Sequence, residues 1–204
     1  MIRLFPSLLW KVPEQDNVIY ITFDDGPTAK ATPFVLSLLE KFKAKATFFC
    51  VGDNIRKSPD IFMKIISQGH CIGNHTFNHL NGWITDRSTY IGNVNLCDEI
   101  IKKNGYKNER ILFRPPYGRI TFSQLRSLKT NYKIVMWDIL TMDFNPGKNP
   151  AFLLNKIINS TVKGSIVIFH DSEKSYAGLQ ILLESFLNHF SNAGYRFASL
   201  EKMA

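Results

Sequence analysis

Short apolar runs of strand length alternate with stretches of helix length along most of this sequence. The apolar runs lie near residues 18–23, 46–51, 70–73, 111–114, 133–137, 165–169 and 195–198. The stretches between them include residues 32–43, 59–68, 89–104, 121–130, 150–162 and 177–190. Strands that alternate with helices favour a parallel sheet. Seven such strands predict an α/β protein built as a parallel barrel.

The chain is long enough to bury one sizeable core. It has 204 residues, of which 45% are hydrophobic and 13% aromatic, and no linker-like or low-complexity segment divides it. We therefore expect a single domain over residues 1–204, with residues 1–15 as an N-terminal extension. The three cysteines cannot all pair, and Cys50 and Cys71 lie in apolar runs, so we expect no disulfide framework.

The first ten residues contain one arginine and a short apolar stretch that Pro6 interrupts. This pattern is too short for a membrane span and lacks the cleavage site of a signal peptide. We expect a cytoplasmic or a peripherally membrane-associated protein. Two alternatives stay open for this segment. It packs against the barrel, which we favour, or it lies on a membrane surface through Leu4, Phe5, Leu8, Leu9 and Trp10.

The net charge of +8 comes from 25 basic and 17 acidic residues. Such a charge favours encounters with anionic surfaces, such as peptidoglycan with its acidic partners or phospholipid head groups. No recognition helix, zinc finger or RNA-binding signature accompanies it, so nucleic acid is not an expected partner. The sequence does not indicate an oligomeric state.

Two adjacent carboxylates, Asp24 and Asp25, follow the apolar run 18–23 directly. Neighbouring residues of a strand point to opposite sides, so the two acids can take different tasks. One can coordinate a cation while the other holds the proton of a water or a substrate. The alternative is an ordinary turn, since Gly26 and Pro27 come next.

His75 and His79 form a second candidate group. If this stretch is helical, the spacing places both imidazoles on one helical face, where they can bind one metal ion. Histidines at this spacing are also common as surface residues. Two imidazoles and one carboxylate, however, leave a fourth ligand position open for water, as in catalytic rather than structural zinc sites.

Arg114 is followed by two prolines and then by Tyr117 and Gly118. The prolines remove two amide donors and stiffen the chain, so the next amides lie in a rigid loop. Such an amide suits an oxyanion hole, because a donor already in place costs no reorganisation. Arg114 can clamp a carboxylate. The alternative is a stiff connecting loop with a surface arginine.

His170 follows the apolar run 165–169 and is a candidate general acid or base. Asp143 is the expected partner that orients its ring. A single histidine at a strand end is otherwise often just a solvated loop residue. The sequence pattern assigns no role to Asp138 or Asp171.

These segments together resemble the polysaccharide deacetylases of carbohydrate esterase family 4, which share the nodulation-type (NodB) deacetylase homology domain. The resemblance covers residues 16–200 and rests on five motifs in the same order as in the family. It implies a distorted (β/α)7 barrel. It also implies that Asp24 is the catalytic base, and that the base is positioned by Arg114. The metal ligands implied are Asp25, His75 and His79.

The resemblance further implies that the backbone amide of Tyr117 contributes to the oxyanion hole, and that Asp143 tunes His170. The fourth motif departs from the family pattern, because Leu140 replaces its first acid and Phe144 replaces its tryptophan. Ile168 occupies the aliphatic position of the fifth motif. Phe144 and Ile168 are expected to bind the acetyl group.

The function implied is a metal-dependent N-deacetylase that releases acetate from N-acetylglucosamine-containing glycans such as peptidoglycan or chitin-like polymers. The expected cofactor is a divalent metal, with zinc as the first choice, and Trp83 is a candidate for stacking on a sugar. Two alternatives stay open. One is a hydrolase of the same fold that cleaves another C–N bond or an O-acetyl ester, and the other is a glycan-binding module without turnover.

Overall fold

The computed structural model describes residues 8–107, 111–145 and 149–203. This part of the chain contains eight strands that form one sheet, and all their pairings are parallel. The strands are β1 (Val18–Asp24), β2 (Thr47–Cys50), β3 (Cys71–Asn74), β4 (Leu112–Phe113), β5 (Lys133–Ile134), β6 (Ile139–Leu140), β7 (Ile166–His170) and β8 (Arg196–Ala198). Seven of them coincide with the predicted apolar runs. The prediction missed β6, because this strand begins only two residues after the run 133–137 ends and no helix-length stretch separates them.

Helices connect most of the strands, as the sequence predicts. They are α1 (Ala31–Lys41), α2 (Gly52–Lys57), α3 (Pro59–Ser67), α4 (Arg87–Lys103), α5 (Phe122–Leu128), α6 (Pro150–Ser160) and α7 (Tyr176–Asn192). Only α2, a six-residue helix, lies outside the predicted stretches. None of the helices in the described ranges has the length and hydrophobicity that a membrane span requires.

The sheet curves into a half-barrel with the strand order β5-β4-β3-β2-β1-β7-β6, while β8 pairs with the first half of β1. Within the described residues, β5 and β6 do not pair with each other. Residues 8–12 lie between the two ends of the sheet, where Leu9 pairs with Val135 and Lys11 with Ser165. Residues 8–12, the described part of the start of the chain, therefore pack against the barrel, which is the favoured alternative. Leu4 and Phe5 lie outside the described residues.

Strand β1 occupies the centre of the sheet, and all seven of its residues are buried. The ring of Phe23 stacks between Phe48 of β2 and Phe169 of β7, at centroid distances of 5.0 and 5.9 Å. A strand that is covered on both faces and paired on both edges has little freedom to move. The carboxylates at its C-terminal end are therefore carried by the most constrained element of the fold.

Helix α7 approaches the chain after β6 so closely that only glycine fits at position 178. A Cβ atom on Gly178 would lie 2.1 Å from the backbone oxygen of Asp143. This contact seats the start of α7 against the segment that carries Asp143.

We expect Gly178→Ala to lower the free energy of unfolding by about 1–3 kcal/mol, because the added methyl group overpacks this contact. Gly92→Ala is the matched control, since Gly92 is also helical and a Cβ there would meet no atom within 4 Å. The control variant should gain about 0.5–1 kcal/mol from helix propensity. Urea unfolding of both variants tests this, and equal stabilities would show that the close approach of α7 does not exist.

Candidate active site

The C-terminal ends of the parallel strands meet around a cavity of about 310 Å³. Its lining includes most of the side chains that the sequence predicts for catalysis, metal binding and the acyl pocket, namely Asp24, Asp25, His75, His79, Tyr117, Phe144, Ile168 and His170. It also includes residues that were not predicted to bind substrate, namely Trp137, Leu140, Ser172, Lys174 and Ser175. Arg114 and Asp143 are buried directly behind this lining and contact Asp24 and His170.

Arg114 is fully buried and binds Asp24. Its Nη1 donates hydrogen bonds to Asp24 Oδ1 and Thr22 Oγ1, both at 2.7 Å, and its Nη2 donates to the backbone oxygen of Met136 at 2.8 Å. The guanidinium also lies 4.1 Å from the ring centroid of Phe49. A charged partner and several acceptors are what a buried arginine requires. Arg114 thus clamps a carboxylate, and it is not a surface arginine on a connecting loop.

Asp25, His75 and His79 form a group whose potential ligand atoms all lie within 4.8 Å of one another. Oδ1 of Asp25 is 3.1 Å from Nε2 of His79 and 3.7 Å from Nε2 of His75. Ligands about 2.0–2.2 Å from a tetrahedral ion lie about 3.3 Å from one another. The spacing and the donor types therefore fit one divalent ion with a position left open.

The ring orientation of both histidines suits metal binding. Nδ1 of His75 lies 2.7 Å from the backbone oxygen of Arg114, so this nitrogen carries the proton and Nε2 keeps its lone pair. Nδ1 of His79 lies 3.2 Å from the hydroxyl of Tyr117. Burial lowers the pKa of His75 to about 4, so its imidazole is neutral at pH 7. A neutral imidazole is the form that binds a metal.

Asp25 is the acidic member of this group. Burial raises the pKa of its carboxyl group, but the hydrogen bond from His79 and the charges of the nearby histidines outweigh that effect, and the pKa falls to about 2. The carboxylate is therefore ionised at neutral pH, as a metal ligand must be.

The two histidines lie on a loop. The prediction that they converge assumed a helix at this position, and no helix forms here. The chain leaves β3 at Asn74, and both Thr76 and His79 have positive φ angles, of 62° and 55°. Asn74 accepts a hydrogen bond from the Thr76 amide, and Asn93 of α4 accepts from the amides of residues 77 and 78. These contacts hold a conformation that non-glycine residues rarely adopt. The imidazoles converge through the loop.

His170 lies at the end of β7 and is bound by Asp143. One carboxylate oxygen, Oδ2, accepts a hydrogen bond from the backbone amide of His170 at 2.7 Å. The other, Oδ1, lies 2.8 Å from Nδ1 of the same residue. The ring of Phe144 contacts the imidazole edge to face, with a centroid distance of 5.0 Å. Burial lowers the pKa of His170, but the hydrogen bond and charge of Asp143 outweigh it, and the pKa rises to about 9. The imidazole is thus protonated at pH 7, on the side of the cavity formed by β6 and β7.

Tyr117 lies on the rigid loop after β4, in a short 3₁₀ turn over Pro116–Gly118. Its φ angle is 60°, and 60% of the residue is exposed. Its backbone amide forms no hydrogen bond with any of the described residues. A free, positioned amide at the cavity wall is a donor that a substrate oxygen can use.

Phe144 and Ile168, the two residues predicted to bind the acetyl group, line the same cavity with Leu140 and Trp137, and their role stays a prediction. Trp83 lies outside the cavity lining. Its side chain is 63% exposed, and the guanidinium of Arg119 lies 4.9 Å from its ring centroid. Stacking of Trp83 on a sugar stays a prediction.

Asp171 supports the acid pair, a role that sequence reasoning missed. Its buried carboxylate accepts hydrogen bonds from the Gly26 amide at 3.0 Å and from Thr32 Oγ1 at 2.6 Å. A Cβ atom on Gly26 would lie 2.0 Å from Asp171 Oδ2, so this contact requires glycine next to Asp25. The sequence signal was the glycine itself, which marks a close approach as well as a turn. Asp138 accepts hydrogen bonds from the Ser165 hydroxyl and the Ile166 amide, and these bonds fix the start of β7.

Comparison with known proteins gives a consistent family assignment. Residues 11–134 match the family described as polysaccharide deacetylase. A peptidoglycan-N-acetylglucosamine deacetylase of Bacillus cereus is 32% identical over 197 residues, which cover 95% of this chain and 91% of the relative. A chitooligosaccharide deacetylase of Azorhizobium caulinodans is 34% identical over 167 residues, which cover 79% of this chain and 77% of the relative.

The fold comparison agrees with the sequence comparison. The crystal structure of the Bc1960 peptidoglycan N-acetylglucosamine deacetylase superposes with a TM-score of 0.89 at 30% identity, and the match covers 97% of this chain and 92% of that one. The predicted distorted (β/α)7 fold and the predicted enzyme class, a hydrolase of carbon–nitrogen bonds, are confirmed. This chain belongs to the polysaccharide deacetylase family.

Proposed function

We propose that this protein is a metal-dependent N-deacetylase, which hydrolyses the acetamide of N-acetylglucosamine units in a glycan and releases acetate. One observation carries this proposal: a buried carboxylate held by Arg114, a His/His/Asp group and a protonated His170 surround one cavity. Hydrolysis of an amide needs a base for water, a stabiliser for the oxyanion and an acid for the leaving amine. The relatives act on peptidoglycan and chitooligosaccharides, and both contain N-acetylglucosamine.

Asp25, His75 and His79 are the proposed metal ligands, and zinc is the ion that best suits two imidazoles and one carboxylate. The chemistry that a divalent ion would supply there is polarisation of the acetyl carbonyl and a lower pKa for the attacking water. Nδ1 of each histidine is already engaged by the protein, which leaves both Nε2 atoms available to hold an ion.

Asp24 is the proposed general base. The hydrogen bond from Arg114 fixes one of its oxygens, and the other, Oδ2, lies 3.7 Å from Nε2 of His75, at the edge of the metal group. The free oxygen can therefore take a proton from the attacking water. The Tyr117 amide donates a hydrogen bond to the oxyanion as the carbonyl carbon becomes tetrahedral.

His170 is the proposed general acid. Its Nδ1 is bound by Asp143, which leaves Nε2 to protonate the nitrogen of the departing amine. Phe144 packs against this imidazole, and Phe144 and Ile168 form the apolar wall proposed for the acetyl methyl group. A pure binding module would not need a protonated histidine at this position.

The proposal predicts that the zinc-loaded protein releases acetate and a free amine from N-acetylglucosamine oligomers or peptidoglycan fragments. Mass spectrometry of the sugar product shows the loss of one acetyl group, and an enzymatic acetate assay gives the rate. O-acetylated xylo-oligosaccharides and a cyclic amide are assayed in parallel. Turnover of only those compounds would contradict N-deacetylation and favour the alternative hydrolase, whereas glycan binding without any turnover would favour the binding module.

Two variants assign the roles in this assay. His75→Ala removes one of three ligands, so both bound metal, measured by elemental analysis, and acetate release should be lost. Asp24→Asn leaves all three ligands in place, so it should keep the metal and lose turnover. Full metal occupancy in His75→Ala would exclude the proposed metal group.

The pKa of His170 predicts the alkaline limit of activity. The general acid must be protonated, so kcat/KM should fall as the pH rises through about 9. His170→Ala should lose about 10²–10⁴-fold in rate. Asp143→Asn removes the group that raises this pKa while burial still lowers it, so the alkaline fall should move to lower pH.

Asp138→Asn is the control for this shift. Asp138 is also an aspartate after a strand, but it binds Ser165 and Ile166 instead of the histidine. Its pH profile, scaled to its own maximum, should match that of the wild type. If Asp143→Asn also keeps the wild-type profile, Asp143 does not tune the general acid.

A further inference from the structure

One wall of the cavity carries a lysine that the proposed chemistry does not use. Lys174 lines the cavity with Ser172 and Ser175, on the segment between β7 and α7. Its Nζ lies 5.8 Å from the ring centroid of Phe144, and the same ring contacts the imidazole of His170 at 5.0 Å. The ring of Phe144 therefore contacts both the ammonium group and the proposed general acid.

The acids around this cavity are already bound by other groups. Asp24 is paired with Arg114, Asp143 with His170, and Asp25 with the two histidines. Glu173, the neighbour of Lys174, accepts a hydrogen bond from the Lys30 amide. Across the described residues, Lys174 forms no ion pair. An exposed ammonium beside a substrate cavity is thus available to an anion that comes with the substrate.

We propose that Lys174 is a specificity-determining residue, which binds a carboxylate on the glycan close to the N-acetylated sugar. This inference rests on the proposed function and narrows it to acidic N-acetylated glycans. In peptidoglycan strands from which the stem peptide has been removed, the sugar that alternates with N-acetylglucosamine carries a free lactyl carboxylate. A uronic acid in an alternating glycan offers the same group. The contact is solvent-exposed, so its strength depends on ionic strength.

The experiment compares substrates that differ in this carboxylate. The first pair is the N-acetylglucosamine–N-acetylmuramic acid disaccharide and its lactyl carboxamide, which has the same size without the charge. A hyaluronan tetrasaccharide supplies a uronic carboxylate, and chitotetraose is the neutral reference. Acetate release is measured for the wild type, for Lys174→Met, and for Lys64→Met. Lys64 is an exposed lysine of α3 that does not line the cavity, so its variant loses the same charge elsewhere.

We expect Lys174→Met to lower kcat/KM by about fivefold for a carboxylate-bearing substrate at low salt, the upper range for an exposed ion pair. The carboxamide and chitotetraose should be hydrolysed at unchanged rates. The loss should disappear at about 1 M salt, where charges are screened beyond about 3 Å. A loss with the disaccharide assigns the lactyl group, and a loss with hyaluronan assigns a uronic acid.

Other outcomes separate this inference from the proposed function. Equal losses for charged and neutral substrates, or equal effects of Lys174→Met and Lys64→Met, would overturn the role of Lys174 while deacetylation stands. If no substrate releases acetate, the proposed function fails. The role of Lys174 is then tested by calorimetry, which measures the affinities for the disaccharide and for its carboxamide. Tighter binding of the carboxylate than of the carboxamide, lost in Lys174→Met, supports the role of Lys174. Equal affinities of the wild type for the two compounds overturn it.

Discussion

The buried ion pair of Arg114 and Asp24 holds the candidate site together. The guanidinium joins β1, through Thr22 and Asp24, to the chain after β5, through the backbone oxygens of Val135 and Met136. Removing one partner of a buried pair leaves an uncompensated charge, at a cost of about 3–5 kcal/mol. Three segments of the half-barrel are therefore fixed by one side chain, and the geometry of the cavity depends on it.

Arg114 also places the two adjacent acids, Asp24 and Asp25, in different surroundings. Arg114 holds Asp24 through its side chain, while its backbone oxygen binds Nδ1 of His75 and turns Nε2 toward Asp25. The proposed base and the proposed metal ligands are thus positioned by one residue at the end of β4. His170 and Asp143 form a separate unit at the ends of β6 and β7, across the cavity. Parallel strands make this division possible, because all their C-terminal ends meet at one edge.

The sequence allowed prediction of the features that depend on local pattern. The alternation of strands and helices, and the position of most functional groups just after a strand, were visible in the residues and were supported by the family motifs. The conformation of the loop over residues 75–79 was not visible, because its positive φ angles are held by Asn93, which lies outside the loop on helix α4. The support of Gly26 by Asp171 was missed for the same reason. Such contacts exist only once the tertiary structure has formed.

A double-mutant cycle on the free energy of unfolding tests the central ion pair most directly. Arg114→Met, Asp24→Asn and the double variant are compared with the wild type by urea unfolding. Arg114→Met should cost about 3–5 kcal/mol, since it leaves the carboxylate buried and unpaired. The double variant should lose at least about 2 kcal/mol less than the sum of the single variants. Costs that add within about 0.5 kcal/mol would show that the two side chains are not coupled, and would contradict the proposed central role of this pair.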